Sequence, residues 1–416
     1  MLKYAALFPG QGSQYVGMGK ELYDGHRLAQ KLFQEASDVL GYDLAELCFN
    51  GTKEELTRTE NTQPAILTVS VAAYSVFLEE FGIEPAYCAG HSLGEFSALT
   101  CAGAVRFADA VQIVRERGKF MQEAVGLGSG AMAAVTGVEL HAILSVCSSL
   151  RKAGEIVDVS NINSSEQFVI SGQSSAVKLA GERLKEMGGM VIPLKVSAPF
   201  HSPLMLPAAQ KLKEELSKYS YSDIKIPVIS NVTAELYQSS SYIIGNLTEQ
   251  MTGAVQWYDS MQLLDWEDVT TVVEFGPQTV LRNLMKKNVP SMTAYAYDKI
   301  EDRAKLREWA AAVPVDPNIS AGRLNVMIQC LAAAVSTRNR NWNNAEYEEK
   351  VVVPYRRIRG MVAELEETGA TPTEGQMQEA VAMLRTVLET KQVPEEEQQE
   401  LLQPMYHAMK NNKAIV

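Results

Sequence analysis

The sequence predicts an α/β protein: a mostly parallel sheet covered by helices, a smaller α+β unit set into it, and a helical C-terminal part. Three observations predict this. Short apolar runs alternate with helical periodicity over residues 1–125. That texture breaks at residue 126 and resumes near Ser197. Beyond residue 300 only helical patterns remain. A chain of 416 residues has room for two or three domains. The expected division is 1–125 with 197–300 as the large domain, 126–196 as the inserted unit, and 301–416 as the C-terminal extension.

The elements follow in order. "KYAALFPG" reads as a strand that ends in a glycine-rich loop. In "QPAILTVSVAAYSVFLEEFG", Ile66, Val69, Ala73, Val76 and Phe77 fall on one helical face and Gly82 is the stop. "EPAYCAG" is a second strand, and Leu93 to Ala104 a second helix. This βαβ rhythm calls for parallel strands covered by helices. After the hinge-like "GLGSG" come the strand "AMAAVTG", a helix from His141 to Leu150, and the strands "EIVDVSNI" and "EQFVISG". A helix from Ser174 to Met187 and the strand "GMVIPLKV" complete the unit. That order, βαββαβ, is the ferredoxin-like motif. "IPVISNVTAE" and "TVVEFGPQTVLRNLMKK" are strand-then-loop patterns that close the large domain near residue 300. In the extension, Pro354 to Thr368 reads as a helix stopped by Gly369. Thr371-Pro372-Thr373-Glu374 reads as a capping box with proline at the first helical position. Met377, Val381, Leu384 and Leu388 then share a face, and a last helix starts at Pro394 with an acidic first turn.

Composition narrows the function. With 46 % hydrophobic and 21 % charged residues the chain can build a sizeable core. A net charge of −12 argues against nucleic acid as a partner. The five cysteines, Cys48, Cys88, Cys101, Cys147 and Cys330, are scattered and form no C-x-x-C. No disulfide framework or zinc site is expected, and a reducing cytoplasm fits. The N-terminus breaks at Pro9-Gly10 and does not read as a signal peptide. No uninterrupted apolar run approaches eighteen residues, so no membrane association is expected.

The chemistry concentrates in a few stretches. In "CAGHSLGEFS", Ser92 lies between Gly90 and Gly94, after a strand and before a helix. The spacing fits either a plain strand-to-helix turn or a nucleophile elbow, where glycines let backbone approach closely. A serine nucleophile needs a base, and the histidines are His26, His91, His141, His201 and His407. His91 adjoins the serine and points away from it. His26 and His141 fall in surface helices and His407 in the last helix. His201 stands in "SAPFHSPLM" at a strand end, where α/β folds place catalysis. An oxyanion needs donors. The Leu93 amide is one candidate, and "FPGQGSQ" supplies another at Gln11, unless it is a structural or phosphate-binding turn. Arg117, in "RERGKFMQEAV", is either solvated or a bidentate partner for a carboxylate.

"LFPGQGSQ", "TQPAIL", "GHSLGEFSAL", "RGKFMQEAV", "APFHS" and "EFGP" occur together in this order. They resemble the malonyl-CoA:acyl carrier protein transacylases and the acyltransferase domains of fatty acid and polyketide synthases. The resemblance covers residues 1 to about 300 and leaves 301–416 outside. It implies an α/β-hydrolase-like catalytic domain with the ferredoxin-like insertion. It implies that Ser92 is the nucleophile, His201 its base, and the backbone carbonyl of Gln250 the group that orients the histidine. It further implies an oxyanion hole from the Gln11 and Leu93 amides, and Arg117 pairing with the malonyl carboxylate. Gln63 would line that pocket. Asn161 and Asn163 would face the pantetheine arm, and Phe200 matches members that take unsubstituted malonyl. The chain departs from many members at Gln278, where they carry glycine after "GP". The implied reaction moves malonyl from CoA, through a serine ester, to the phosphopantetheine thiol of an acyl carrier protein. No bound cofactor and no metal are implied.

Rivals make different demands. A serine hydrolase wants an acid and then a histidine late in the chain, where His407 alone is available. An editing acyl hydrolase of this family tends to lose the arginine that is kept here at 117. A non-catalytic docking protein has no need of Ser92, His201 and Arg117 together. The extension, with no counterpart at the usual family length, fits a dedicated polyketide or hybrid peptide–polyketide pathway better than housekeeping fatty acid synthesis. A carrier-bound malonyl variant such as aminomalonyl is then an alternative acyl group. Arg338, Arg340, Arg356, Arg357 and Arg359 are either a solvated face or a landing site for an acidic carrier helix.

Overall fold

The computed structural model describes residues 3–124, 129–194, 196, 198–312, 317–341 and 343–411. The hinge-like stretch at 126–128, Ser197 and the side chain of His407 lie outside them. The strands run in chain order: β1 (Tyr4–Phe8), β2 (Tyr87–Gly90), β3 (Gly130–Thr136), β4 (Val157–Ile162), β5 (Gln167–Gln173), β6 (Met190–Pro193), β7 (Val228–Ile229), β8 (Thr271–Glu274) and β9 (Thr293–Ala296).

They form two sheets. The first has the order β7-β2-β1-β8-β9, with every pairing parallel. Its strands are short and apolar, and β1 is buried at every position, as a sheet covered on both faces requires. The second has the order β4-β5-β3-β6 and is antiparallel throughout. With helices Leu140–Lys152 and Ser174–Glu186 it makes the expected βαββαβ unit. The α/β class, the inserted unit and the helical extension are all as the sequence predicts.

Helix Thr59–Phe81 shows how burial exceeded the sequence pattern. Ile66, Val69, Ala73, Val76 and Phe77 are buried as predicted, but so are Ala65, Leu67, Val71 and Ala72 on the other faces. A helix apolar all round is a core helix. It is also long and apolar enough to cross a bilayer, and 72 % of that stretch is buried within the protein. Gly82 ends it at φ 64°, with its N–H on the Leu78 carbonyl.

The chain divides into two compact units. One comprises Met1–Val76 and Pro85–Glu308, and holds both sheets. The other comprises Phe77–Glu84 and Trp309–Val416. Its helices Pro317–Ser336, Val353–Thr368, Glu374–Thr390 and Glu395–Asn411 enclose an apolar core that includes Met327, Ile358, Leu384 and Leu388. Here the sequence reading is corrected at one cap. The N-cap is Thr373, whose hydroxyl accepts from the Gln376 N–H at 3.1 Å while Gln376 Oε1 accepts from the Thr373 N–H at 2.9 Å. Thr371 and Glu374 do not form the box. Pro372 fixes the entry, and glutamine serves at the third helical position as well as glutamate does. Of the arginines in this unit, Arg340, Arg356 and Arg357 form ion pairs with Glu397, Glu348 and Glu379.

Candidate active site

Strand order reverses at β1, which has β2 on one side and β8 on the other. Sites in open parallel sheets form at the carboxyl ends beside such a reversal. The loops that leave β1, β2 and β7 there carry Gln11, Ser92 and Asn231.

Glycines set the geometry. A Cβ on Gly94 would lie 1.9 Å from the Phe8 carbonyl oxygen, and one on Gly90 would lie 1.9 Å from the Gly94 carbonyl. A Cβ on Gly10 would lie 2.4 Å from the His91 oxygen. The β1 loop and the β2 elbow therefore touch backbone to backbone. Ser92 sits between them at φ 53°, ψ −103°, a conformation non-glycine residues rarely adopt. Leu93 opens helix Leu93–Cys101, so its N–H is among those the helix itself leaves unsatisfied.

Ser92 Oγ lies 2.7 Å from His201 Nε2. His201 Nδ1 lies 2.6 Å from the Gln250 backbone oxygen. A carbonyl only accepts, so Nδ1 carries the proton and Nε2 is free to accept from the serine hydroxyl. Burial, and next the Arg117 charge, push the imidazole down to about 3. The ring is therefore neutral at physiological pH. His91 turns away from the serine to Asn163 Oδ1 at 2.9 Å.

Arg117 comes from helix Phe107–Glu123. Gly118 lets that helix lie against the start of helix Thr59–Phe81: a Cβ there would sit 2.7 Å from the Thr59 oxygen. Arg117 is 1 % exposed. It donates to Gln63 Oε1 at 2.9 Å, to Gln250 Oε1 at 2.8 Å and to Ser92 Oγ at 3.1 Å, and its Nε N–H has no partner among the described residues.

Among the residues singled out from the sequence, Gln11, Ser92, Arg117, Asn161, Asn163, Phe200 and His201 line one cavity of about 510 Å³. Leu93, Gln63 and Gln250 lie fully buried behind it. Gln278 adopts φ 68°, the left-handed region that favours glycine, and its Nε2 donates to the Ser13 oxygen at 3.0 Å. Among the described residues no cluster of His, Cys, Asp or Glu could hold a metal ion.

Sequence reasoning passed over three residues beneath the elbow. Asn231 accepts from the Ser92 N–H at 2.6 Å and donates to the Gly90 oxygen at 2.6 Å, which pins the turn from both sides. Glu95 and Tyr237 lie deeper, joined at 2.6 Å. Glu95 falls within the quoted "GHSLGEFS" and could have been flagged as an acid in an apolar helix. Asn231 and Tyr237 carry no sequence signal, because their role arises only when β7 pairs with β2.

The comparisons bear on the whole assembly. Residues 6–313 match the acyl transferase domain family, so the chain is an acyltransferase. A malonyl CoA-acyl carrier protein transacylase of Bacillus subtilis is 39 % identical over 403 residues, 97 % of this chain and 100 % of the relative. A second, from Bacillus subtilis strain 168, is 50 % identical over 288 residues, 69 % of this chain and 90 % of the relative. A malonyl-transacylase solved in complex with its type II PKS acyl-carrier protein is 40 % identical with a TM-score of 0.71, covering 74 % of this chain and 99 % of that one. The chain belongs to the malonyl CoA-acyl carrier protein transacylase family.

Proposed function

We propose that the protein transfers a malonyl group from malonyl-CoA, through an ester on Ser92, to the phosphopantetheine thiol of an acyl carrier protein. One observation carries the reading: the same Ser92 Oγ lies 2.7 Å from a neutral imidazole and 3.1 Å from a buried guanidinium. His201 Nε2 takes the hydroxyl proton as Oγ bonds to the thioester carbon. The Gln11 and Leu93 amides are the oxyanion donors in this scheme. The tetrahedral intermediate collapses, the C–S bond breaks, and the imidazolium returns its proton to the CoA sulfur. The carrier thiol then repeats the sequence in reverse. The reaction exchanges one thioester for another, so it is close to neutral in free energy.

Arg117 supplies selectivity. A malonyl carboxylate lies one CH₂ beyond the attacked carbonyl, within reach of a guanidinium that already touches Oγ. A neutral acyl group leaves that buried charge without an anion in direct contact. Phe200, 8 % exposed beside His201, favours an unsubstituted acyl group. Asn161 and Asn163, on the small unit's side of the cavity, suit the pantetheine arm.

The pathway we assign is polyketide or hybrid peptide–polyketide assembly rather than housekeeping fatty acid synthesis. One finding supports it: a solved relative is a malonyl-transacylase in complex with its type II PKS acyl-carrier protein. The test has two stages. Intact-mass spectrometry after brief exposure to malonyl-CoA is expected to show a malonyl adduct on the wild type and none on Ser92→Ala. Transfer rates to a polyketide-type and a fatty-acid-type holo carrier protein then separate the pathways. Release of free malonate without transfer would point instead to an editing hydrolase.

A further inference from the structure

We infer that Glu95 is the positioning residue for recognition of the substrate carboxylate. It locks the Gln250 amide so that Oε1 faces Arg117, and it supplies buried counter-charge without occupying the guanidinium. The inference rests on the reading of Arg117 as the carboxylate's partner.

The hydrogen bonds allow one orientation of Gln250. Its Nε2 donates to Glu95 Oε2 at 2.6 Å, an acceptor when the carboxylate is ionised, and to the Ser92 backbone oxygen at 2.9 Å, which only accepts. Its Oε1 accepts from Arg117, which only donates. Its backbone oxygen holds His201. One residue thus orients both the base and the arginine, and Glu95 fixes that residue's side chain.

Glu95 is itself fully buried, in the first turn of helix Leu93–Cys101, where the helix dipole favours an anion. Three donors converge on its carboxylate: Tyr237 Oη at 2.6 Å, Gln250 Nε2 at 2.6 Å and the Asn231 N–H at 3.3 Å. That set suits the ionised form, although burial pushes the group up to about 7. Burial likewise pushes Arg117 down to about 9, and the Glu95 charge opposes it. A direct ion pair would have spent the guanidinium's donors. The pairing through Gln250 takes one N–H; with Gln63 and Ser92 taking one each, Nε and one Nη1 N–H are left for the substrate.

The test compares acylation of Ser92 by malonyl-CoA and by acetyl-CoA, which lacks the carboxylate. Glu95→Gln keeps the shape, removes the charge and places an amide NH₂ where an acceptor is needed. It is expected to lower the malonyl-over-acetyl preference about 10- to 100-fold, the worth of one charge-assisted hydrogen bond, chiefly through KM for malonyl-CoA. Glu95→Asp keeps the charge and is expected to retain most of the preference. Tyr237→Phe removes one donor, carries the test if Glu95→Gln does not fold, and is expected to lower the preference less. Parallel loss of both acylation rates, or an unchanged ratio in the variant that folds, would overturn the inference. A wild type with no preference for malonyl would overturn the reading of Arg117 as well.

Discussion

Beneath Ser92 the protein buries ionisable groups: Glu95, Arg117 and His201 are at most 3 % exposed, and each is held by named bonds of 2.6–3.3 Å. The C-terminal unit does the reverse. Its core is apolar, and most of its ion pairs lie at the surface. Its buried Lys391 donates to the Ala334 and Thr337 carbonyls and so closes the end of a helix. Apolar burial has no direction, so such a core tolerates small shifts. A polar network depends on angles and partners, and one missing acceptor leaves a buried donor unpaired. Substitutions in the first region should therefore change rate and selectivity, and those in the second should change stability alone.

The largest effect is expected at His201. Replacement by Ala should slow acylation of Ser92 about 10²- to 10⁴-fold, as rapid-quench kinetics with malonyl-CoA would measure. The same residue has a stability signature. Burial pushes its imidazole from the ordinary 6.5 down to about 3, so its contribution is present above pH 6.5 and is lost as pH falls toward 3. His201→Gln should flatten that part of a denaturation-against-pH curve.

Arg117 comes next. Arg117→Met should cut the preference for malonyl over acetyl about 10²-fold or more. It also removes the charge that, second to burial, holds His201 down. The acid limb of acetyl-CoA acylation should then move to higher pH, whereas the wild type stays flat between pH 5 and 7. A limb that does not move would mean that burial alone sets the His201 value.

Leu384, fully buried in the C-terminal core, separates the regions from the other side. Leu384→Ala should cost about 2–5 kcal/mol in urea unfolding of that unit. Acylation per folded molecule should not change. A slowed acylation at full folding would mean that the extension serves the chemistry after all.

The two regions were also legible to different degrees. Candidates for an elbow, a base and a carboxylate-binding arginine could be picked out in "GHSLGEFS", "APFHS" and "RGKFMQEAV", because close backbone approach and bidentate pairing favour particular residue types, but only the family resemblance chose among their alternatives. The strand order that brings them together could not be read, since short parallel strands look alike in sequence. Asn231 was invisible for that reason: its work is to clamp Gly90 and Ser92 across a strand pairing. Gln250 was half legible. The resemblance supplied its carbonyl, while its side chain's bonds to Arg117 and Glu95 arise from tertiary packing alone. Gln278 shows a legible oddity resolved by contact: a left-handed position without glycine, held by the Ser13 carbonyl.

The smallest effect tests a boundary that sequence reading placed two residues early. Thr371-x-x-Glu374 and Thr373-x-x-Gln376 both satisfy a capping-box pattern, and Pro372 would suit the first helical position of the earlier one. The structure uses the later pair, with Thr373 at φ −73°, ψ 160° as the N-cap. Thr373→Ala deletes the acceptor for the Gln376 N–H and should destabilise helix Glu374–Thr390 by about 1 kcal/mol. Hydrogen exchange of its first-turn amides would show this as roughly fivefold lost protection. Thr371→Ala removes no cap and should leave those amides unchanged. Equal loss in both variants would mean that the N-terminus of the helix samples both caps. Because this helix supplies Leu384 and Leu388 to the apolar core, fraying at Thr373 should stay local while that core holds.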